Sequence, residues 1–118
     1  MRVLVQRSLE SNVKVDGKIV GQIDSGLVIL VGFTHGDTLI DIDYMVKKIL
    51  NLRIFDDENG QMNRSVLDVG GSVLSVSQFT LYADTKKGNR PSYGDAMASI
   101  EANNLYNEFN KKLKQFIS

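Results

Sequence analysis

The chain has 118 residues, 42% of them hydrophobic and 24% charged, which is the balance of an ordinary globular protein and the length of a single domain, 1–118. Fourteen basic residues balance fourteen acidic ones, so any contact with nucleic acid must use a local patch rather than the overall charge. The absence of cysteine excludes a disulfide framework, a thiolate nucleophile and a cysteine zinc site. No signal peptide or membrane-length apolar run is visible, so we expect a cytoplasmic protein with no membrane partner.

The first third of the chain has the pattern of β-strands. Residues 2–9 alternate apolar and polar side chains, which predicts a half-buried strand. The dipeptide Asp16-Gly17 separates two further strand patterns and favours a type I′ turn, so a tight hairpin is predicted there. The run 27–33 is continuously apolar, which indicates a central strand covered on both faces.

Two amphipathic helices are predicted. The first is capped by Asp37 or Thr38 and carries apolar residues at three- and four-residue spacing as far as Leu52. The second begins at about Asp95 or Ser99 and runs to the end of the chain. Its apolar stripe consists of Ile100, Leu105, Phe109, Leu113 and Phe116. Strands combined with two helices predict an α+β domain whose helices cover a largely antiparallel, curled sheet.

The segment Val73–Tyr82 is predicted to be one long strand with an unusual polar middle. β-branched and aromatic residues dominate it and no helix breaker interrupts it. Ser77, Gln78 and Thr80 nevertheless place hydrogen-bonding groups where a buried strand is normally apolar. Because an unpaired buried polar group costs about 1–3 kcal/mol, either the fold or a ligand must supply hydrogen-bond partners. If the fold supplies them, these side chains form an interior row of hydroxyls bonded to the backbone and have no functional role.

The usual catalytic constellations are missing from the sequence. Nucleophile-elbow, Walker, EF-hand and zinc-protease motifs are all absent. His35 is the only histidine and lies in a predicted loop, so we assign it no catalytic role. The acidic run 56–58 precedes Asn59-Gly60 and is interpreted as a turn rather than a metal site.

The polar strand therefore has the composition of a binding surface more than that of a nucleophile with its base. A threonine hydroxyl is a poor nucleophile without an adjacent base, and none lies within the strand of Thr80. Phe79 and Tyr82 offer flat faces for a nucleobase or an amino-acid side chain. The following loop carries three cations that could meet a phosphate, although an ordinary solvated loop explains them equally well: Lys86, Lys87 and Arg90.

Two neighbouring blocks of the sequence together resemble the signature of the D-aminoacyl-tRNA deacylases. They are Ser77-Gln78-Phe79-Thr80-Leu81-Tyr82-Ala83-Asp84 and Lys87-Gly88-Asn89-Arg90-Pro91. The likeness extends in order along the chain, through Met1–Arg7, Leu30-Val31-Gly32, Lys48–Phe55 and Met62-Asn63. An eight-residue block with supporting segments is a specific signal. The resemblance as a whole covers essentially the entire sequence.

The resemblance implies a homodimeric enzyme that hydrolyses the ester between a D-amino acid, or mischarged glycine, and the 3′ end of tRNA. It implies a barrel-like arrangement of sheets backed by helices, and neither a metal nor an organic cofactor. Carried over by motif, Ser77, Gln78, Phe79 and Thr80 line the pocket for the aminoacylated terminal adenosine. Arg7 matches a family arginine with a positioning role near that pocket.

The resemblance leaves two roles open for Thr80, the catalytic residue of the signature. In one, its hydroxyl is the nucleophile. In the other, the ribose 2′-hydroxyl of the RNA assists hydrolysis, and the protein contributes orientation and backbone contacts. The absence of a base near Thr80 in the sequence favours the second.

The sequence departs from the family at its carboxyl end. The family's Asn-x-Gly-Pro-x-Thr motif, which enters the partner subunit's pocket and excludes L-amino acids, has no match here, since the only proline is Pro91. We therefore expect the sequence to lack a carboxyl-terminal segment. Two rival functions stay open: a non-catalytic module for tRNA 3′ ends, related to the editing domain of archaeal threonyl-tRNA synthetase, and a hydrolase of small esters with Thr80 as a true nucleophile.

Overall fold

The computed structural model describes residues 1–117, which form strands and two α-helices in the order that the sequence predicts. The prediction of an α+β fold with two helices is confirmed. The helices are α1 (Leu39–Asn51) and α2 (Ser99–Lys114). The strands are β1 (Arg2–Ser8), β2 (Ser11–Val15), β3 (Lys18–Ile23), β4 (Gly26–Gly32), β5 (Phe55–Asp56), β6 (Met62–Arg64) and β7 (Ser72–Ser77).

The central sheet has the order β1-β4-β7, so the continuously apolar strand β4 is central, as its sequence predicts. β4 pairs antiparallel with β1, with Val3 opposite Val31, and parallel with β7, with Leu27 opposite Val73. The pairs β2-β3 and β5-β6 form two small antiparallel sheets. Across residues 1–117 the strands thus form three separate sheets and no closed barrel.

The hydrophobic core lies between the helices and one face of the central sheet. Leu27, Ile29 and Val31 on β4 are fully buried, and they pack with Phe109 of α2 and Ile42 of α1. The alternate β4 side chains Val28 and Leu30 are only half-buried. The prediction that both faces of β4 are covered is therefore confirmed for the helix-facing side and holds only in part for the other.

Helix α1 begins as its sequence predicts. Thr38 is the N-cap, and its hydroxyl accepts a hydrogen bond from the backbone N–H of Ile40. The carboxylate of Asp41 accepts from the Thr38 backbone N–H at 2.8 Å, which completes a capping box. Neither helix in the described part of the chain is long and apolar enough to cross a membrane.

Helix α2 begins at Ser99, one of the two predicted starts, but its apolar stripe is only partly correct. Phe109 and Leu113 are buried, whereas Ile100 is 78% exposed and Phe116 is 53% exposed. Ile100 precedes Phe109 by nine residues, which places it on the opposite side of a helix that turns about 100° per residue. Phe116 lies beyond the last helical residue, Lys114.

The two predicted turns form with the expected chemistry. Asp16 and Gly17 have φ of 52° and 79°, the positive values that a type I′ hairpin turn requires. In the β5-β6 turn the carboxylate of Asp57 accepts hydrogen bonds from Asn63, Gln61 and Asn59. These bonds, chiefly the one from the Asn63 side chain, hold the pKa of Asp57 below its ordinary value. The turn interpretation of this acidic run is confirmed.

Candidate functional site

The polar segment at the end of β7 is a strand for only half of its predicted length. β7 ends at Ser77, and Phe79–Tyr82 forms one turn of 3-10 helix, which we call the signature turn. The prediction of a strand as far as Tyr82 is wrong. Because these residues form a turn, Phe79 and Thr80 do not lie on opposite faces of a sheet but project from a tight turn at the sheet's end.

The signature turn packs against the end of the neighbouring strand β4. The backbone N–H of Gln78 donates to the carbonyl of Val31 at 2.7 Å, the last bond to β4. Gly32 follows, and a Cβ there would lie 2.9 Å from the Gln78 carbonyl oxygen and 3.2 Å from Leu81 Cβ. The turn therefore packs directly on the backbone of Gly32, a contact that only glycine allows without displacing it.

Arg2 supports the end of the turn at Leu81 and Tyr82. Its guanidinium Nη1 donates to the Leu81 carbonyl at 2.8 Å, and its Cζ lies 4.5 Å from the centre of the Tyr82 ring. Tyr82 is only 7% exposed. Burial, with a smaller contribution from the Asp37 carboxylate, raises the pKa of its phenol. The expectation that Tyr82 offers a flat face to a ligand is wrong, because its ring lies beneath Arg2.

The Thr80 hydroxyl is held by an amide rather than by a base. The Gln78 side-chain amide donates to Thr80 Oγ1 within the turn. Among the side-chain hydrogen bonds of residues 1–117, this is the one that Thr80 makes. A hydroxyl that accepts from an amide is oriented but is not deprotonated by it. The local geometry thus favours a positioning role for Thr80.

A cavity of about 450 Å³ lies between the signature turn and the start of α2. Its size is that of a small-molecule site. It brings together two residues of the predicted set, Ser77 and Phe79, and side chains that sequence analysis did not single out. The remaining lining residues are Tyr93, Ala96, Met97, Ser99, Ala102 and Asn103.

Two aromatic rings form one side of this cavity. Phe79 and Tyr93 meet edge to face with centroids 5.0 Å apart, and they are 56% and 41% exposed. Exposed rings beside a cavity are the surfaces on which nucleobases stack. Tyr93 takes the place that the sequence interpretation gave to Tyr82. Its signal was an isolated aromatic residue in a polar, proline-containing loop.

The segment that carries Tyr93 is fixed by contacts with the loop after β4. His35 Nε2 donates to the Gly94 carbonyl at 2.9 Å, and Met97 N–H donates to the Phe33 carbonyl at 3.0 Å. On the sheet side, the hydroxyls of Ser75 and Tyr106 lie 3.0 Å apart and join β7 to α2. His35 therefore supports the wall of the cavity and is not itself among the lining residues.

The basic loop forms a hairpin next to the signature turn. Asp84 and Ser92 exchange backbone hydrogen bonds of 2.7 Å, which closes the loop at its base. Lys86, Lys87 and Arg90 are exposed along it. Lys86 and Arg2 border a hollow of about 310 Å³ on the Tyr82 side of the turn.

Arg7 lies at the other end of the central sheet from Ser77. Ser77 is level with Val31 and Val3, whereas Arg7 is level with Leu27, four residues further along β1. At about 3.3 Å per residue this is roughly 13 Å. Arg7 Nη1 lies 3.6 Å from the Asp56 carboxylate, and both side chains are half-exposed. Within one chain, the fold does not bring Arg7 to the signature turn.

Arg7 borders a second cavity, of about 460 Å³. We call it the Arg7 cavity. It is as large as the cavity at the signature turn, but its walls contain one partly exposed aromatic residue and no signature residue. The other lining residues are Ser8, Leu9, Ser25, Gly26, Phe55 and Val69.

The fold and the signature-turn cavity together define an α+β protein that can hold a planar, polar ligand such as a nucleoside. Aromatic rings provide stacking, while the hydroxyls of Ser77 and Ser99 and the amide of Asn103 provide hydrogen bonds. Among these side chains no hydroxyl is paired with a base, so the lining has the chemistry of a binding site.

Comparison with known proteins places this chain in a family. The sequence model described as D-Tyr-tRNA(Tyr) deacylase matches residues 4–118. The D-aminoacyl-tRNA deacylases of Bacillus thuringiensis (strain Al Hakam) and Bacillus anthracis are each 57% identical over 115 residues, which cover 98% of this chain and 79% of theirs. The chain belongs to the D-aminoacyl-tRNA deacylase family.

Solved structures agree on the fold. The structure named c-Myc DNA Unwinding Element Binding Protein matches with a TM-score of 0.92 and 40% identity, over 98% of this chain and 77% of its own. A probable eukaryotic D-amino acid tRNA deacylase matches with a TM-score of 0.80 over 95% of this chain and 66% of its own. At 19% identity, the second likeness concerns the fold alone.

Proposed function

We propose that this protein hydrolyses the ester bond of D-aminoacyl-tRNA, and of glycine mischarged on tRNA, releasing the free amino acid and tRNA in the cytoplasm. The observation that carries the proposal is the signature turn. In a chain of the deacylase family, two residues of the family signature, Ser77 and Phe79, line an aromatic-sided cavity of nucleoside size, and Gln78 and Thr80 lie at the adjoining turn. No metal or organic cofactor takes part in the proposed reaction.

In this proposal the terminal adenosine of the tRNA occupies the signature-turn cavity. Its base packs on Phe79 and Tyr93, whose exposed rings meet at the cavity's side. Ser77 supplies a hydroxyl beside them. Base–aromatic stacking contributes about 1–3 kcal/mol per base. This stacking energy holds the terminal nucleoside, and with it the ester, against the turn. Because every base has a flat face, the stacking does not itself select a base.

Catalysis is proposed to come from orientation and from the backbone of the turn. The N–H groups of Phe79 and Thr80 open the 3-10 turn, where the first donors of a helix have no acceptor within it. Such donors stabilise negative charge that develops on an ester oxygen. Gln78 fixes Thr80 by its hydrogen bond, so Thr80 positions the substrate while the ribose 2′-hydroxyl assists the attack of water.

The basic loop is proposed to contact the phosphates next to the terminal adenosine. Its three cations, Lys86, Lys87 and Arg90, are exposed and lie close along the chain to the signature turn. Phosphate contacts of this kind hold an RNA end in place without reading its sequence.

Arg7 is proposed to act across a homodimer. Within one chain it lies at the opposite end of the sheet from Ser77, yet it matches a family arginine associated with the pocket. A second copy that packs antiparallel beside the first, with its signature turn against the Arg7 end of the sheet, would bring Arg7 to the neighbouring pocket. Mixing an Arg7→Ala variant with a Phe79→Ala variant is expected to restore activity, because some mixed dimers then hold one intact site.

The direct test of the function is deacylation of D-tyrosyl-tRNA(Tyr), with L-tyrosyl-tRNA(Tyr) as the matched control. We expect rapid release of D-tyrosine and little release of L-tyrosine. Equal release of both would contradict chiral proofreading, and release of neither would overturn the proposed activity.

One alternative has a specific observation in its favour. A solved relative that is 40% identical has a name that describes DNA binding. This agrees with the alternative of a module that binds nucleic-acid ends without turnover. Tight binding of D-aminoacyl-tRNA with no release of amino acid would support that alternative, and multiple turnovers would exclude it.

A further inference from the structure

We infer that the groove at the carboxyl end of α1 binds the sugar–phosphate backbone of the tRNA, away from its reacting 3′ end. The groove has a volume of about 390 Å³ and is separate from both cavities described above. This inference rests on the proposed function for the identity of the RNA. The residues that line the groove are Tyr44, Lys47, Lys48, Asn51, Leu52 and Arg53.

The groove concentrates positive charge in a chain that has no net charge. Its lining contains three cations and no acidic residue. The acidic residues of α1, Asp41 and Asp43, lie in the first half of the helix, before the groove. A chain with balanced charge can attract a polyanion only through such a local patch.

The three cations lack acidic partners, unlike the basic residues of α2. Lys111 and Lys112 pair with Glu108 and Asp43. In contrast, none of the ion pairs of residues 1–117 includes a cation of the groove. Their positive charge is therefore available to a ligand.

Arg53 is held in place by neutral groups, which fixes its position without cancelling its charge. Its Nε donates to the Asn63 carbonyl at 3.1 Å, and its Nη2 donates to the Asn63 side-chain oxygen at 2.7 Å. The nearby acid is Asp68. Its carboxyl pKa is lowered chiefly by hydrogen bonds from Ser65, and Arg53 makes only a small contribution. A guanidinium fixed in this way is suited to a phosphate.

The dipole of α1 opposes an anion here, but it is too weak to prevent binding. A helix carboxyl end carries about half a negative charge, whereas the groove carries three positive side chains. Basic residues in a last turn also have a structural explanation, since they favour the dipole. That explanation does not account for Arg53, which follows the helix.

The groove and the signature-turn cavity lie towards opposite ends of α1. Thr34 pairs with Ala96, which lines the cavity, and α1 begins five residues after Thr34. The 13 residues of α1 span about 20 Å, and the groove is lined by its later turns and by the two residues that follow it. We therefore assign to the groove a phosphate away from the reacting end of the RNA.

Tyr44 and Asn51 make the groove more than a charged surface. Tyr44 is 61% exposed, and the Lys48 ammonium lies 5.7 Å from its ring centre. Tyrosine, asparagine and lysine side chains together are the usual partners of sugars and phosphates in nucleic-acid complexes. This composition favours RNA over an acidic protein, for which depletion of lysine at the interface is typical.

The test compares a Lys47→Ala/Lys48→Ala variant with a Lys14→Ala/Lys18→Ala control. The control removes the same charge from exposed positions of the β2-β3 hairpin. The probe is uncharged tRNA(Tyr), whose affinity is measured over a range of salt concentrations. We expect roughly tenfold weaker binding by the groove variant at low salt, a log–log salt slope reduced by about two, and wild-type behaviour of the control.

A second measurement separates this inference from the proposed activity. The groove variant should lose roughly tenfold in kcat/KM on D-tyrosyl-tRNA but retain wild-type kinetics on D-tyrosyl-adenosine, which is too short to reach the groove. Equal loss on both substrates, or unchanged tRNA affinity and salt slope, would overturn the inference. If tRNA binding depends on the groove while the wild type hydrolyses neither ester, the proposed function fails and the inference stands.

Discussion

The two ends of the central sheet carry cavities of nearly equal volume whose linings differ in aromatic rings and in charge. The cavity at the signature turn, of about 450 Å³, has two exposed aromatic rings and hydroxyl groups. The Arg7 cavity, of about 460 Å³, has an arginine that is paired with Asp56. Size therefore does not distinguish a site from a surface hollow here. Side-chain chemistry and the signature sequence do, and they point to the same end of the sheet.

The largest expected effect is loss of the aromatic wall. Phe79→Ala should raise KM for D-tyrosyl-tRNA by about ten- to a hundredfold, because about 1–3 kcal/mol of base stacking is lost. Phe116→Ala is the matched control, since Phe116 is similarly exposed at 53% but does not line the cavity. Equal kinetics of the two variants in steady-state deacylation would show that the signature-turn cavity does not bind the substrate.

A smaller effect is expected from crowding the signature turn. Gly32→Ala places a Cβ 2.9 Å from the Gln78 carbonyl oxygen, so the turn must move. We expect roughly tenfold lower kcat/KM, since small displacements of positioning groups are costly in catalysis. Gly94→Ala is the control, because its Cβ would meet nothing closer than 3.8 Å. Unchanged activity of the Gly32 variant, with its fold intact by circular dichroism, would show that the turn's position is unimportant.

Thr80→Ala should have a lesser effect, within about tenfold of wild-type kcat, because the hydroxyl is oriented by Gln78 and has no base to activate it. Single-turnover deacylation measures this directly. Complete loss of turnover, with binding and folding retained, would make Thr80 the nucleophile and reverse the mechanism proposed above.

The smallest effect is expected near the Arg7 end, in the β5-β6 turn. Asp57→Ala should lower stability at neutral pH, because it removes the carboxylate that holds the turn. The pKa of Asp57 is lowered in the fold, so its contribution is fully present above the unfolded pKa and is lost as pH falls through the folded pKa. Urea unfolding should therefore separate the two proteins at pH 7 and bring them together in acid. A constant difference at all pH values would contradict this.

Local signals in the sequence predicted the parts of the fold that local physics controls. The Asp16-Gly17 hairpin and the Thr38 cap of α1 form as predicted, because turn and cap geometry depends on a few neighbouring residues. The central position of β4 also follows from its unbroken apolar run.

The end of β7 at Ser77 could not be predicted in this way. Residues 78–82 keep the composition of a strand, and the turn is imposed by distant contacts from Gly32 and Arg2. Because the turn was not predicted, the aromatic residues of the site were predicted only in part. Ser77 and Phe79 line the cavity, but Tyr82 faces Arg2 and its predicted place belongs to Tyr93, which reaches the cavity through the fold rather than through the signature.

In the proposed reaction the signature-turn cavity holds the aminoacylated adenosine. The most direct measurement is a structure of the protein with a non-hydrolysable analogue, 3′-deoxy-3′-(D-tyrosylamino)adenosine. We predict that the adenine packs on Phe79 and Tyr93, with the amide that replaces the ester against the backbone of the signature turn. Adenine bound instead in the Arg7 cavity of the same chain, with the rings of Phe79 and Tyr93 unoccupied, would contradict it.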